Sequence, residues 1–362
     1  MMVSGRTTCW NGRWDKSKIG VKDATAVNRV ARVYANYNEE TKTWDWTQPE
    51  EVTDPIYSIF LDGETPTVTS MFIGSGKICQ SRVVKKNEYY RLYCALWTHD
   101  EGNRVIYSDD FGMSWNVLGT ISDRPASGGD EPKVEELPDG TVVLSSRVSG
   151  GRWFNIFTFN NEGKSDAEKY TTGSWGSAVK STSAYDGSGN GTNGEIYKVK
   201  AVRKSDGEVC DVMLQSIPAG PNRSNVKVYY KEMNYSTPYT PAAFAEGWQV
   251  GKHVSTKESA YSTMIMQADG RIGFFFEEEP GGYCMVYIPY SIEDLTNGQY
   301  EACAENEAPF LMHAAPKVLA LTGVGYPEED SEVRNDLTKA IEAVNAGNAS
   351  TKDYEELSDA YE

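Results

Sequence analysis

The sequence is poor in the residues on which most metal and nucleophile chemistry depends. Three histidines, His99, His253 and His313, are spread over 362 residues, so neither a histidine-held metal nor a Ser-His relay has its material. Six cysteines (Cys9, Cys79, Cys94, Cys210, Cys284 and Cys303) include no Cys-x-x-Cys pair, which argues against a zinc site and against a disulfide framework. No metal and no cofactor is therefore expected. No apolar run approaches the roughly eighteen residues of a membrane-crossing helix. Met1–Arg6 passes directly into polar sequence, without the basic start and apolar stretch of a signal segment. Positive charge is scarce as well: 35 Lys and Arg face 52 Asp and Glu, a formal net charge of −17. That balance excludes nucleic acid and anionic membranes as general partners. An anionic substrate must be drawn by a few placed cations, not by the overall field.

What the chain does have is strands. With 39% hydrophobic and 24% charged residues it can build a large core. Aromatic or β-branched runs cover Lys77–Val84, Tyr90–Trp97, Arg104–Ser108, Thr141–Val148, Trp153–Phe159 and Glu195–Val202. Asp211–Ile217, Asn225–Lys231, Ser262–Gln267, Ile272–Glu277 and Cys284–Pro289 continue the series. Turns punctuate it at Pro138-Asp139-Gly140, Ser205-Asp206-Gly207 and Ala268-Asp269-Gly270. Short strands at such spacing indicate a sandwich, barrel or propeller. The end of the chain differs: Val333, Leu337, Ile341 and Val344 follow a helical period over Ser331–Ala346, and Thr351–Tyr361 reads as a second, acidic helix. The expected division is a β body over 1–325 and a helical linker or the start of a further module over 326–362.

One octet selects among the β folds. Ser108-Asp109-Asp110-Phe111-Gly112-Met113-Ser114-Trp115 has the form S-x-D-x-G-x-[ST]-W. It reads as a hairpin in which Asp110 bonds turn amides, Gly112 adopts positive φ and Trp115 is buried. Tyr37–Trp44 looks like a decayed copy. Recurring hairpin-plus-Trp units suit propeller blades, each a four-stranded sheet. Asp110 is expected to be structural, not catalytic.

The octet is an Asp box, and with three further segments the chain resembles the sialidase (neuraminidase) family of six-bladed β-propellers. The first segment is Asp130-Glu131-Pro132-Lys133, with Val143-Leu144-Ser145-Ser146-Arg147 after it. It is similar to the family's strand pair in which a Glu opens one strand and an Arg closes the next. The second, Gln215 to Arg223, is similar to the segment bearing the family's third binding arginine. The third is Ala260-Tyr261-Ser262-Thr263-Met264, then Ile272-Gly273-Phe274-Phe275-Phe276-Glu277. It resembles the A-Y-S and I-G-x-L-Y-E strands, with Phe276 where Tyr is usual. Together the matches span about Ser70 to Tyr290.

The resemblance implies an exo-α-sialidase acting on terminal α-linked sialic acids of glycans, glycoproteins or glycolipids. Such a sugar carries a carboxylate on its anomeric carbon, which favours guanidinium forks for binding and a neutral nucleophile. Carried over, Arg147 and Arg223 are two arms of the carboxylate clamp, Tyr261 attacks, Glu131 takes its proton, and Glu277 is the Glu that steadies the first arginine. A phenol with an ordinary pKa of about 10 needs such a base. For the leaving-group acid, Asp23 in Lys22-Asp23-Ala24-Thr25, before Arg29 and Arg32, fits the family's loop, and Asp15 competes. The Tyr-Arg-Ile-Pro strand with the first arginine has no counterpart before Asp23, and Arg6 is a poor substitute. The expectation is a chain that begins after that strand, with a two-arginine site as the alternative. A non-catalytic sialoglycan-binding propeller is the rival reading, and an unrelated Asp-box assembly factor a distant one. The implied location is secreted, cell-surface or periplasmic, in a bacterium.

Weaker signals remain. Gly74-Ser75-Gly76-Lys77 lacks the first Gly and the Ser/Thr of a P-loop and reads as a tight turn near the pocket rim. Glu277-Glu278-Glu279 reads as an exposed acidic strand end. Trp97, Trp175 and Tyr185 are candidates to line a sugar pocket, although aromatics in a β protein are mostly core.

Overall fold

The computed structural model describes residues 2–6 and 28–304, apart from 69–70, 75, 87, 99–101, 182, 184–192, 268 and 280–283. Further on it describes 312, 315–316, 318–320 and 331–361, apart from 347–348. Four antiparallel sheets succeed one another along the chain as blades of an all-β propeller. Blade 1 holds Met71–Ile73, Cys79–Lys86, Tyr89–Thr98, Gly102–Ser108 and Asn116–Val117. Blade 2 holds Pro132–Glu136, Val142–Val148, Gly151–Phe159, Gly173–Trp175 and Val179–Ser181. Blade 3 runs Ile196–Arg203, Val209–Pro218, Val226–Glu232 and Gln249–Ser255. Blade 4 is Ser262–Met266, Ile272–Glu278 and Cys284–Tyr290. The chain then returns to blade 3, where Tyr300–Ala302 pairs with Ile196–Arg203.

The expected count of six blades is not met. Besides the four blades, the described residues form a three-stranded sheet of Met2–Arg6, Asn28–Arg32 and Glu50–Glu51 and two isolated two-stranded hairpins. The strands there are two to five residues long, and among the described residues no further strand extends these sheets into a blade.

Burial explains why the strands were easy to read. Successive residues of a strand point to opposite faces, and blades 1 to 3 are covered on both, whereas blade 4 leaves Ile265, Phe275, Met285 and Tyr287 exposed on its second face. On Val142–Val148, Val142 and Leu144 face blade 1, where they join Tyr93, Ala95 and Val105. Val143 faces the other way, into a cluster with Phe154, Ile156, Ile196, Met213 and Ile217. A third such layer, with Val199, Leu214, Val228, Met264, Phe274 and Phe276, joins blades 3 and 4. The core is thus a stack of layers between blades, and two-sided burial turns alternation into continuous apolar runs.

The first hairpin of blades 2, 3 and 4 closes with one chemistry. The Asp139, Asp206 and Asp269 carboxylates each accept the amide two residues on, at 2.9, 3.2 and 3.2 Å. Gly140, Gly207 and Gly270 follow at φ +85°, +76° and +74°, a region that a side chain disfavours. All three turns lie at one end of the propeller. The opposite end is where the first strand of each of these blades begins.

The Ser108–Trp115 turn forms as its pattern predicts. Ser114 donates from its amide and hydroxyl to Asp110 at 2.8 and 2.6 Å, and Gly112 donates to the Ser108 hydroxyl at 2.7 Å. Those bonds hold the Asp110 carboxyl below its ordinary range against a burial effect that raises it, so the side chain is consumed by the turn. Trp115 is 7% exposed in a cluster with Val30, Ile56, Tyr57, Phe60 and Ile106. Near the end of the chain, helices Ser331–Asn345 and Thr351–Tyr361 bury Leu337, Ala340 and Leu357 in a small cluster that Ala315 joins.

Candidate active site

Three blades place a candidate residue at the same structural position, directly before the first strand. Glu131 precedes Pro132–Glu136, Glu195 precedes Ile196–Arg203, and Tyr261 precedes Ser262–Met266. Each accepts, at its carbonyl, the amide of the residue across the hairpin: Arg147 at 3.2 Å, Ser216 at 2.9 Å and Glu277 at 3.0 Å. The ladder therefore brings Arg147 beside Glu131 and Glu277 beside Tyr261 whatever the side chains do.

The side chains complete the cluster. The Tyr261 hydroxyl donates to Glu131 Oε1 at 2.7 Å, and Arg147 Nη1 donates to Glu131 Oε2 at 2.6 Å. Glu131 thus holds both partners through one carboxylate that is largely buried. The Tyr261 amide donates to Glu277 Oε2 at 3.2 Å. Asp130 is the further member, with Oδ2 at 3.6 Å from Arg147 Nη1 and its side chain 42% exposed. Its carbonyl is pinned by Asn103 Nδ2 at 2.6 Å.

Arg223 enters from the loop after Val209–Pro218. Asn222, Arg223 and Asn225 all adopt positive φ, at 53°, 62° and 57°, a conformation that residues other than glycine hold only under constraint. The constraint is visible: Gly220 donates to the Ser224 carbonyl at 2.7 Å, Ala219 to Asn225 at 3.1 Å, and Ser259 to the Arg223 carbonyl at 2.7 Å. The last bond docks the loop on the segment that carries Tyr261. Among the described residues the Arg223 guanidinium holds no hydrogen bond or ion pair.

The electrostatics follow from this crowding. Burial, then the hydrogen bond and charge of Glu131, push the Tyr261 phenol up to about 12, against the opposing charges of Arg147 and Arg223. Tyr261 is therefore a neutral phenol at neutral pH and needs a base to become a nucleophile. Burial raises Glu277, opposed by the Tyr261 amide and by Arg223. Burial and the neighbouring Glu131 raise Asp130, opposed by Arg147. Arg147 keeps its proton more tightly than usual: burial works against it, but the bond and charge of Glu131 prevail.

Glu131, Arg147, Arg223, Tyr261 and Glu277 thus meet at one end of the propeller. Asp23 and Asp15 lie outside the described residues, as does Tyr185. Arg6 is in the strand Met2–Arg6, whose backbone pairs with Asn28–Arg32. Trp175 does not line the cluster: its Nε1 donates to the Leu118 carbonyl at 3.0 Å and its ring packs on Phe157, in the layer between blades 1 and 2. Trp97 stacks on Phe72 with centroids 4.8 Å apart. Gly76 and Lys77 are not a rim turn. The Lys77 side chain is 11% exposed and bonds Glu135 at 2.8 Å. Glu278 takes Ser255 and Lys257 as partners. Among the described residues no three His, Cys, Asp or Glu side chains are grouped to hold a metal, and the five cysteines described are free thiols.

Sequence reading missed Asp130, Glu195 and Lys133. The signal for Glu195 was its place before a strand that ends in an Asp-Gly turn, the setting of Glu131 and Tyr261. That parallel becomes visible only when the blades are superposed.

No protein-family profile and no curated protein sequence matches the chain. Solved structures do. A leech intramolecular trans-sialidase is similar over 75% of this chain and 38% of its own, with 18% identity and a TM-score of 0.51. The intramolecular trans-sialidase of Ruminococcus gnavus is similar over 77% and 54%, with 19% identity and a TM-score of 0.51. A Trypanosoma rangeli sialidase is similar over 91% and 47%, with 16% identity and a TM-score of 0.51. The chain has the propeller fold of these sialidases and spans 38% to 54% of their lengths. No helix among the described residues is long and apolar enough to cross a membrane.

Proposed function

We propose that the chain is a retaining exo-α-sialidase that releases terminal α-linked sialic acids from glycoconjugates outside the cell. The 1–325 portion forms the catalytic propeller on this reading, and 326–362 a helical appendage. The observation that supports it is the 2.7 Å hydrogen bond from the Tyr261 hydroxyl to Glu131, with Arg147 on the other carboxylate oxygen. A phenol paired with a buried carboxyl and flanked by guanidinium groups is an arrangement few other reactions require. A sugar with a carboxylate on its anomeric carbon repels an anionic nucleophile, so a neutral phenol with an adjacent base is the fitting solution.

In the first half-reaction Arg147 and Arg223 take the sugar carboxylate. Tyr261 passes its proton to Glu131 Oε1 as its oxygen bonds to the anomeric carbon. The bond to the leaving oxygen breaks, and that oxygen takes a proton from an acid, the role assigned to Asp23 over Asp15. In the second half a water gives its proton to the same aspartate and attacks the anomeric carbon. The tyrosyl oxygen departs and recovers its proton from Glu131. Two inversions leave the configuration retained. Glu277, bonded to the Tyr261 amide, keeps the nucleophile's backbone in place, and the role of steadying the first arginine is assigned to it.

The test is release of fluorophore from an α-sialoside, an event common to hydrolysis and intramolecular transfer, by the chain and by Tyr261→Phe. Turnover lost in the variant supports the assignment. Turnover retained overturns Tyr261 as nucleophile. Binding without turnover in the unaltered chain favours the sialoglycan-binding propeller.

A further inference from the structure

The two groups that react on the reading above stand on different blades, Glu131 on blade 2 and Tyr261 on blade 4, with blade 3 between them. Nothing in the hydrogen bond itself keeps those blades at the right separation. One layer deeper along the axis, a second set of side chains spans the same gap. Lys133, two residues after Glu131 and on the same strand face, is 3% exposed and has its Nζ 3.6 Å from Glu195 Oε2. Thr263, two residues after Tyr261, donates its hydroxyl to that same Glu195 oxygen at 2.8 Å. Glu195 is fully buried at the equivalent position of the intervening blade.

The arrangement is costly for a purely structural element. Lys133 Nζ is buried without a hydrogen bond, and burial lowers its pKa against the pull of Glu195. A buried ion pair of this kind is weak evidence for stability, since apolar side chains of similar volume often do as well. Space around it is also restricted: a Cβ on Gly76 would lie 2.1 Å from Lys133 Nζ and 2.4 Å from Glu195 Oε2. The nearby fully buried Arg152, whose Nε and Nη2 donate to the Ser145 hydroxyl at 3.2 and 2.9 Å, adds charge attraction to both Glu131 and Glu195.

We propose that Glu195 is a positioning residue: with Lys133 on one side and Thr263 on the other, it spans blade 3 and fixes the distance between the Tyr261 hydroxyl and Glu131. This rests on the reading of Tyr261 and Glu131 as the reacting pair. The bridge does not touch substrate, so its loss acts on the chemical step and not on binding.

Thr263→Val removes the hydroxyl while nearly keeping side-chain shape, and Thr263→Ser keeps the hydroxyl while losing the methyl. The expected result for Thr263→Val is kcat lower by roughly ten- to a hundredfold, the scale of a misplaced reacting group, with KM within about twofold and activity restored in Thr263→Ser. Wild-type kcat in Thr263→Val overturns the proposal, and so does an equal loss in both variants, which marks a general packing defect. Crystal structures of the unaltered chain and Thr263→Val give a readout independent of activity. A Tyr261–Glu131 separation that lengthens only in the variant supports the bridge, and an unchanged one overturns it. Should the unaltered chain show no turnover, the sialidase reading fails while that distance still decides the bridge.

Discussion

Glu131 and Glu135 stand on one face of one strand segment, four residues apart, and do opposite things with the same carboxylate. Glu135 is enclosed. It takes Lys77 Nζ at 2.8 Å, the Lys198 amide at 3.1 Å and the Cys79 thiol at 3.5 Å. Burial alone would raise its pKa, but Lys77 outweighs that and holds the carboxyl below its usual range. Every partner comes from the propeller's own strands and turns, and nothing is left over for a ligand. Glu131 bonds Arg147 and Tyr261, two side chains that stay partly exposed. The lesson is that a buried charge is a candidate for chemistry only where the partners themselves still have bonds to make.

The strongest way to break this comparison is at Glu131. Glu131→Gln is expected to lower turnover by about 10²- to 10⁴-fold, the usual contribution of a general base, with little change in melting temperature. A loss of folding instead of turnover would make Glu131 a second Glu135. The converse is Glu135→Ala, which leaves Lys77 buried without its partner. It should destabilise the fold by about 3–5 kcal/mol in denaturant unfolding, while the fraction still folded keeps its kcat.

The pH dependence sharpens the contrast. A carboxyl whose pKa is depressed by folding contributes stability above its unfolded value and loses it as pH falls through the folded one. Melting temperatures between pH 3 and pH 7 should therefore show an acid limb that flattens in Glu135→Gln. An unaltered limb in that variant would assign it to other carboxylates. The smallest effect is expected at Asp130, whose raised pKa and 3.6 Å approach to Arg147 make it a competitor for that arginine. Asp130→Asn should lower KM for an anionic sialoside severalfold at neutral pH, and the gain should shrink at acidic pH as the wild-type carboxyl, its pKa raised by burial and Glu131, takes up its proton. An unchanged KM at both pH values would remove Asp130 from the binding site.

Much of this architecture was legible in the residues. The strands from Cys79 to Glu232 were readable because burial on both faces leaves continuous apolar runs, and the Asp-Gly turns because their amide acceptor and positive φ admit few alternatives. The two hairpins of the Ser108–Trp115 kind show the limit of such reading. Tyr37–Trp44 does form a hairpin, with Asn38 Oδ1 accepting the Glu40 and Thr41 amides at 3.0 and 3.1 Å. Yet Trp44 is 59% exposed where Trp115 is 7%, because the pattern encodes the turn and not what packs beside it. The number of blades depends likewise on long-range pairing, and no local pattern announced that Tyr300–Ala302 would join Ile196–Arg203. Glu131, Arg147, Arg223, Tyr261 and Glu277 were identified through resemblance, and their convergence reflects strand ends that share one side of the propeller. Lys133 and Glu195 were missed since a charged residue within or beside a strand ordinarily signals a solvated face. The short helix Ile292–Leu295 carries a readable start, the capping box of Ser291 and Asp294.

The return of Tyr300–Ala302 to blade 3 makes residues 256–299 an insertion whose two ends belong to a single sheet. Blade 4 is in that sense a cassette, bounded by junctions at Thr256 and Gln299, and Tyr261 travels with it while Glu131, Arg147 and Arg223 stay with the frame. Exchange of the cassette alone would replace Tyr261, the residue proposed as nucleophile, together with Ser259 and Thr263, while Glu131, Arg147 and Arg223 remain in the frame. That division makes recombination at these two junctions a way to vary what faces Glu131, Arg147 and Arg223 without altering the strands that carry them.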